Sequence, residues 1–270
     1  AAMIAAARAS GIDAINVTIL WDGAGATLLE RTLWWLAYWE REIAMHRARL
    51  LKVLDVSDLR EARRSKRVGI IYGFQDSAVL EGRLERVDVF VALGVRIWQL
   101  TYNARNEVGD GCMSTRDAGL SRFGRDVVLR LNELGVLIDL SHCSRRTTLE
   151  AIRASKKPVA ITHSGCAALS PHPRNKPDVV LRALADRGGV FGVYLMPFLT
   201  SNPPATAADV MAHIDHAVNV AGEDHVGIGS DQSTYPVELD DVYSHTMRKM
   251  LRDRRAAGQA SPGEDAPLFV

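Results

Sequence analysis

The sequence predicts an α/β protein, a (β/α)8 TIM-type barrel whose first strand and final helix are expected to be absent from this chain. Three observations predict it. Apolar runs of strand length alternate with stretches of helical period along the chain, giving seven or eight strands. No G-x-G-x-x-G opens any helix, so an open dinucleotide-binding sheet has no support. The 270 residues, 47% of them hydrophobic, match the usual size of one such barrel and supply a large core. Residues 1–270 are therefore read as one domain.

Residues 1–10 are alanine-rich and read as the end of a helix closed by Gly11, and the β-branched run 12–20 suits a buried strand. A helix with no strand before it is an unusual opening for a βα barrel, hence the expectation of a missing first strand. Residues 27–51 set Leu29, Leu33, Leu36, Trp39, Ile43 and Leu50 at helical spacing. Within them Trp34, Trp35, Tyr38 and Trp39 form the most aromatic patch of the chain, read as core packing, with a substrate platform as the alternative. A short strand over 52–55 and a short polar helix over 56–65 follow. Residues 68–75 are a buried strand ending in Gln75 and Asp76. A helix over 77–93, closed by Gly94, leads to a strand over 95–101 that ends in Tyr102 and Asn103. Residues 104–119 have no period and are long enough for a functional loop. An amphipathic helix over 120–134, capped by Ser121 and ended by Gly135, enters the central unit of the chain.

That unit spans 135–163. Two apolar runs, Gly135-Val-Leu-Ile-Asp-Leu-Ser-His142 and Pro158-Val-Ala-Ile-Thr-His163, each end in a histidine and flank a helical stretch. A β-α-β connection of this length makes its strands parallel, so both imidazoles arrive at the same C-terminal sheet edge. The loop 164–177 carries His172, Pro173, Arg174 and Asn175. A helix over 178–187, a strand over 189–196, a helix over 207–221 and a strand over 225–231, ending in Asp231, complete the pattern. Beyond it the chain turns polar, and residues 254–270 read as loop or disorder.

Lys plus Arg number 33 and Asp plus Glu 32, for a formal charge of +1. No global field therefore selects nucleic acid or an acidic membrane surface. Cys112, Cys143 and Cys166 have neither a paired count nor a CxxC spacing, which argues against a zinc knuckle or a disulfide framework. No apolar run approaches the roughly 20 residues a bilayer span needs, and a soluble, cytoplasmic protein is expected, with homodimerisation left open.

Parallel barrels build their sites at the C-terminal strand ends, which here gather Gln75, Tyr102, His142, His163 and Asp231. Two imidazoles, a carboxylate and an amide form a mixed N/O set for zinc or a similar divalent ion. Such an ion activates water and polarises a carbonyl, while Asp231 shuttles a proton to a leaving amine. Arg174 has the planar fork to clamp a carboxylate or phosphate. Each has a structural alternative: a histidine bonding a loop carbonyl, Asp231 as the N-cap of the next helix, Arg174 as a surface residue.

The motifs Gly119-Leu-Ser-Arg-Phe-Gly124, Leu137-Ile-Asp-Leu-Ser-His-Cys-Ser144, Pro158-Val-Ala-Ile-Thr-His-Ser164, Arg174-Asn-Lys-Pro-Asp178 and Val226-Gly-Ile-Gly-Ser-Asp231 occur in this order. Together they resemble the membrane (renal-type) dipeptidase family, peptidase family M19, from about Val68 to Asp231. The resemblance implies a zinc-dependent barrel that hydrolyses dipeptides at a binuclear centre by metal-bound water. It implies His142 and His163 as ligands of one metal, Asp231 as ligand of the other and proton carrier, and Arg174 as the holder of the substrate's terminal carboxylate. Three positions depart from the family pattern. The His-x-Asp pair of its first strand has no counterpart, Gln75 stands where it has a bridging glutamate, and Tyr102 stands where it has a substrate-binding histidine. The retained side offers two imidazoles to one metal, so one or two zinc ions are expected. The alternative is a non-catalytic or specialised relative that binds or tailors an amino-acid-derived metabolite.

Overall fold

Apolar, β-branched segments form the strands of a single parallel sheet, as the spacing of the histidine-bearing unit requires. In the computed structural model, which describes residues 2–19, 27–232, 241–256, 258 and 260–264, the elements run α1 (Ala2–Ala9), β1 (Ala14–Thr18), α2 (Leu28–Met45), β2 (Leu50–Lys52), α3 (Val56–Ser65), β3 (Val68–Phe74), α4 (Glu85–Ala92), β4 (Val95–Gln99), α5 (Arg122–Glu133), β5 (Leu137–Asp139), α6 (Arg145–Ala154), β6 (Ala160–Ser164), α7 (Asp178–Ala185), β7 (Val190–Val193), α8 (Ala207–Ala221), β8 (Val226–Ile228) and α9 (Asp241–Ala256). The strands lie in the order β1-β3-β4-β5-β6-β7-β8, with β2 a short addition beside the start of β3. Every pairing is parallel. This is the strand order of a (β/α)8 barrel with seven positions filled among the described residues; β1 and β8 are each paired on one side only. The last residue of the strand expected over 12–20 lies outside the described residues.

Helix starts follow the side chains that satisfy their free backbone N–H groups. Thr27, Asp55 and Thr206 close capping boxes, and Ser121 and Ser144 accept from the third residue of α5 and α6. The centre of the sheet is packed by Phe74, Phe90 and Trp98, whose rings meet edge to face at 4.6–6.2 Å. The Trp98 indole N–H donates to Ser77 Oγ at 2.9 Å. Because Phe90 is fully buried, Phe90→Ala should lower unfolding free energy by about 3–5 kcal/mol, read from a denaturant titration. A loss below about 1 kcal/mol would show that this cluster does not support the sheet.

Three expectations need correction. The helix expected over 77–93 is broken: residues 78–80 form a 3-10 turn, and Glu81 and Gly82 adopt positive φ of 46° and 70° before α4 begins. Of the aromatic patch of α2 only Trp39 packs against the core. Helical period turns Thr32 and Leu36 inward and leaves Trp34 64% exposed, with Trp35 and Tyr38 exposed beside it. Trp35 and Tyr38 instead pack on each other, centroids 5.4 Å apart. The stretch 254–270 is not wholly loop, since α9 continues through Ala256; residues 257, 259 and 265–270 lie outside the described residues. A helix therefore does follow β8, and its contacts run across the C-terminal face: Arg254 lies 5.3 Å over the Tyr102 ring.

Candidate metal and substrate site

The strand-end histidines meet as the β-α-β unit requires. His142 and His163 are both buried, and their ring centroids lie 5.1 Å apart at an interplanar angle of 63°. His142 Nδ1 lies 2.6 Å from Asn103 Oδ1. Asn103 turns its amide N–H2 to Ser261 Oγ, so His142 donates through Nδ1 and keeps a lone pair on Nε2. Nε2 of His163 is buried with no hydrogen-bond partner among the described residues. A buried nitrogen of this kind is costly unless something binds it. Two imidazoles bound through Nε2 at about 2.0–2.1 Å in tetrahedral geometry have centroids roughly 5 Å apart, which the observed spacing matches. The histidine pair fits a divalent ion. Among the described residues no three His, Cys, Asp or Glu side chains converge as a complete metal cluster.

Cations dominate the surroundings. Arg174 is only 3% exposed; one Nη donates to the His163 carbonyl at 3.3 Å, and its Cζ lies 5.7 Å from the centroid of Tyr194. Its Nε–H is buried without a partner among the described residues, and no carboxylate there lies within ion-pair distance of it. The surface-residue alternative for Arg174 is therefore overturned: the loop 164–177 folds inward, held by Ser164 Oγ donating to the Arg174 carbonyl and Tyr194 OH donating to Asn175 Oδ1. Lys176, also fully buried, donates to the Cys143 carbonyl at 2.6 Å. Burial first, then the charge of Arg174, holds the His142 imidazole well below the usual histidine range. Burial lowers His163 as well, opposed by Asp231 and Asp139.

Tyr102 stacks on the His142 ring at 4.2 Å between His142 and Arg254, and burial raises its phenol pKa. Asp231 follows β8 with φ of 55° and is exposed. Its charge is felt at His163, Tyr102 and Tyr194; the N-cap alternative for Asp231 turns on residues 233–240, which lie outside the described residues. Gln75 closes β3, where its carbonyl accepts from the Gln99 amide; no contact among the described residues joins its side chain to the histidine pair. Neighbouring Asp76 is half-buried, its carboxyl pKa raised by desolvation, and it accepts from Tyr102 N at 2.9 Å and Asn106 Nδ2 at 2.8 Å. The cysteines are free thiols. Burial pushes Cys143 up to about 11 and Cys166 up to about 12, which suits packing better than ligation.

The loop 104–119 is built on buried Asp110, which accepts from Arg105, Ala118 N and Gly119 N. From it Cys112 N donates to the His142 carbonyl at 2.7 Å. Sequence reasoning did not find Asn103, Asp139, Thr162 or Lys176 as parts of the site. The one available signal was Asp139, a carboxylate inside the apolar run Leu137-Ile-Asp-Leu140, where a charge must have partners.

Comparison with known proteins matches residues 5–257 to the family model described as membrane dipeptidase (peptidase family M19). A Klebsiella pneumoniae protein described as an uncharacterized protein in the pqqA 5' region is 32% identical over 238 residues, covering 83% of this chain and 86% of that protein. Dipeptidase tcpJ of Claviceps purpurea is 32% identical over 222 residues, 79% of this chain, but the chain spans only 52% of that protein. A crystal structure of an amidohydrolase from Pseudomonas aeruginosa superposes with a TM-score of 0.81 at 36% identity, covering 91% of this chain and 74% of that one.

Proposed function

Because the chain belongs to the membrane dipeptidase family, peptidase family M19, we propose that it is a metal-dependent hydrolase of a dipeptide or related small amide, with zinc held by His142 and His163. One observation carries the reading: two buried imidazoles at the spacing of a shared ion lie beside a buried guanidinium whose Nε–H has no partner among the described residues. A divalent ion there supplies Lewis-acid polarisation of the scissile carbonyl and makes water a stronger nucleophile at neutral pH. The protein's own groups do the rest. Arg174, with Lys176 behind it, makes the pocket positive and takes the substrate's terminal carboxylate through its free Nε–H. Tyr102, stacked on the His142 ring, and Tyr194, facing the Arg174 guanidinium, set aromatic surface against both groups and exclude water from them. Asp231, exposed at the rim and close enough to act on the His163 charge balance, takes a proton and returns it to the leaving amine. Gln75, a neutral amide at the end of β3, offers no charge to offset a second dication, so one ion is proposed. No helix among the described residues is long and apolar enough to cross a membrane.

The test combines metal analysis with a substrate comparison. Purified protein should carry zinc at about one ion per chain and hydrolyse unblocked dipeptides. Arg174→Lys should raise KM for a dipeptide with a free C-terminus by about tenfold or more while leaving a C-terminally amidated dipeptide, which lacks the carboxylate, little changed. Equal effects on both substrates would remove Arg174 from carboxylate binding; no zinc and no turnover would remove the hydrolase reading.

A further inference from the structure

Thr162 and His163 sit at an irregularity in the sheet. Ile161 pairs with Phe191 and Ser164 with Val193, so two residues of β6 face the single Gly192 of β7. This is a bulge, and it breaks the alternation that would send neighbouring side chains to opposite faces. Its consequence is local: Thr162 Oγ1 lies 2.8 Å from Nδ1 of the ring that follows it.

The proton inventory around that hydroxyl admits one arrangement. Asp139 is buried and accepts from Ser141 Oγ at 2.5 Å and Ser141 N at 3.0 Å on Oδ1, and from Thr162 Oγ1 at 2.7 Å on Oδ2. Thr162 N donates to Oδ1 as well, at 3.1 Å. The hydroxyl of Thr162 has one proton, and the carboxylate takes it. Oγ1 has two further contacts: Ser141 Oγ at 3.2 Å, whose proton goes to Asp139 by a shorter bond, and His163 Nδ1, where the ring must then be the donor. Ser141 Oγ likewise spends its proton on Asp139 and accepts from His163 N at 3.0 Å. One carboxylate thus grips His163 twice, through Ser141 at the backbone and through Thr162 at the ring.

We infer that Asp139, acting through the Thr162 hydroxyl, is the positioning residue that fixes His163 as its Nδ1–H tautomer, so that Nε2 faces the site as a bare lone pair. The buried, partnerless Nε2 is what this tautomer leaves behind. His142 is held differently, by the neutral amide of Asn103. A carboxylate behind the donated N–H raises the basicity of the opposite nitrogen more than an amide does, which makes His163 the stronger of the two donors. The consequence for metal binding rests on the hydrolase reading; the tautomer does not.

The experiment reads both. Long-range 1H–15N correlation of the imidazole rings in metal-free, 15N-labelled protein should show His163 protonated on Nδ1 and not on Nε2. Thr162→Val, which keeps the shape and deletes the hydroxyl, should shift the ring towards the Nε2–H form and weaken zinc binding, measured by chelator competition, by about 10–100-fold. Thr162→Ser should restore both. An Nε2–H ring in the wild type overturns the inference, as does Thr162→Val with unchanged tautomer and zinc affinity. Should Thr162→Val fail to fold, the wild-type ring spectrum decides alone. A wild type with the Nδ1–H ring that binds no zinc refutes the hydrolase reading and leaves the relay standing.

Discussion

His142→Ala combined with His163→Ala is expected to remove bound zinc and dipeptide hydrolysis together while the fold persists. The size follows from the geometry. Groups that merely orient a ligand are worth about 10–100-fold in metal affinity, so losing both ligands should exceed about 100-fold. Folding should survive because each ring lies at a strand end on the C-terminal face, and the apolar core is built from other residues. Elemental analysis, far-UV circular dichroism and a turnover assay on the same preparations check the three parts. Turnover retained in the double variant would place the chemistry elsewhere.

Gly229→Ala should be the most damaging single substitution outside the site. An added Cβ there would stand 1.6 Å from the Thr162 carbonyl oxygen and 2.8 Å from its carbon. The same carbonyl is 2.1 Å from the Cβ that Gly192 lacks, so it sits between two glycines of adjacent strands and has nowhere to retreat. Relief requires moving β8 or undoing the bulge, at a cost above about 4 kcal/mol. Gly227, two residues earlier, has nothing within 4 Å of its Cβ position, and Gly227→Ala should be neutral or stabilise by about 0.4–1 kcal/mol. Thermal and denaturant melts of the pair settle the matter: equal stabilities would mean that the sheet yields at this point.

The contrast between those glycines marks where sequence reasoning ends. Alternating apolar runs and helical stretches were enough to predict parallel strands and to bring His142 and His163 to one edge, because a crossover of that length leaves no other arrangement. Caps such as Ser121 were readable because helix ends need a side-chain acceptor. The bulge was not, since one extra residue in a strand leaves the apolar pattern almost unchanged. Arg174 was not placed either: whether an arginine is buried depends on how a loop folds over a distant tyrosine, and no local spacing records that. The inward stripe of α2 was legible through Leu36, yet all four aromatic residues around it were assigned to the core because they sit mid-helix; Trp39 packs there, while helical period turns Trp34 outward. The course of α9 across the face depends on contacts with Tyr102 that share no sequence neighbourhood with it.

Asn103 gives its carbonyl to His142 and its amide protons to Ser261, which lies 158 residues further along the chain. His172, in the same loop as Arg174, gives its ring N–H to the Pro262 carbonyl at 2.9 Å. The two loops that present the histidine and the guanidinium are thus each fastened to one short C-terminal stretch. The orientation of a planar amide serves both of its bonds, so anything that steadies His142 also steadies Ser261, and the coupling is reciprocal.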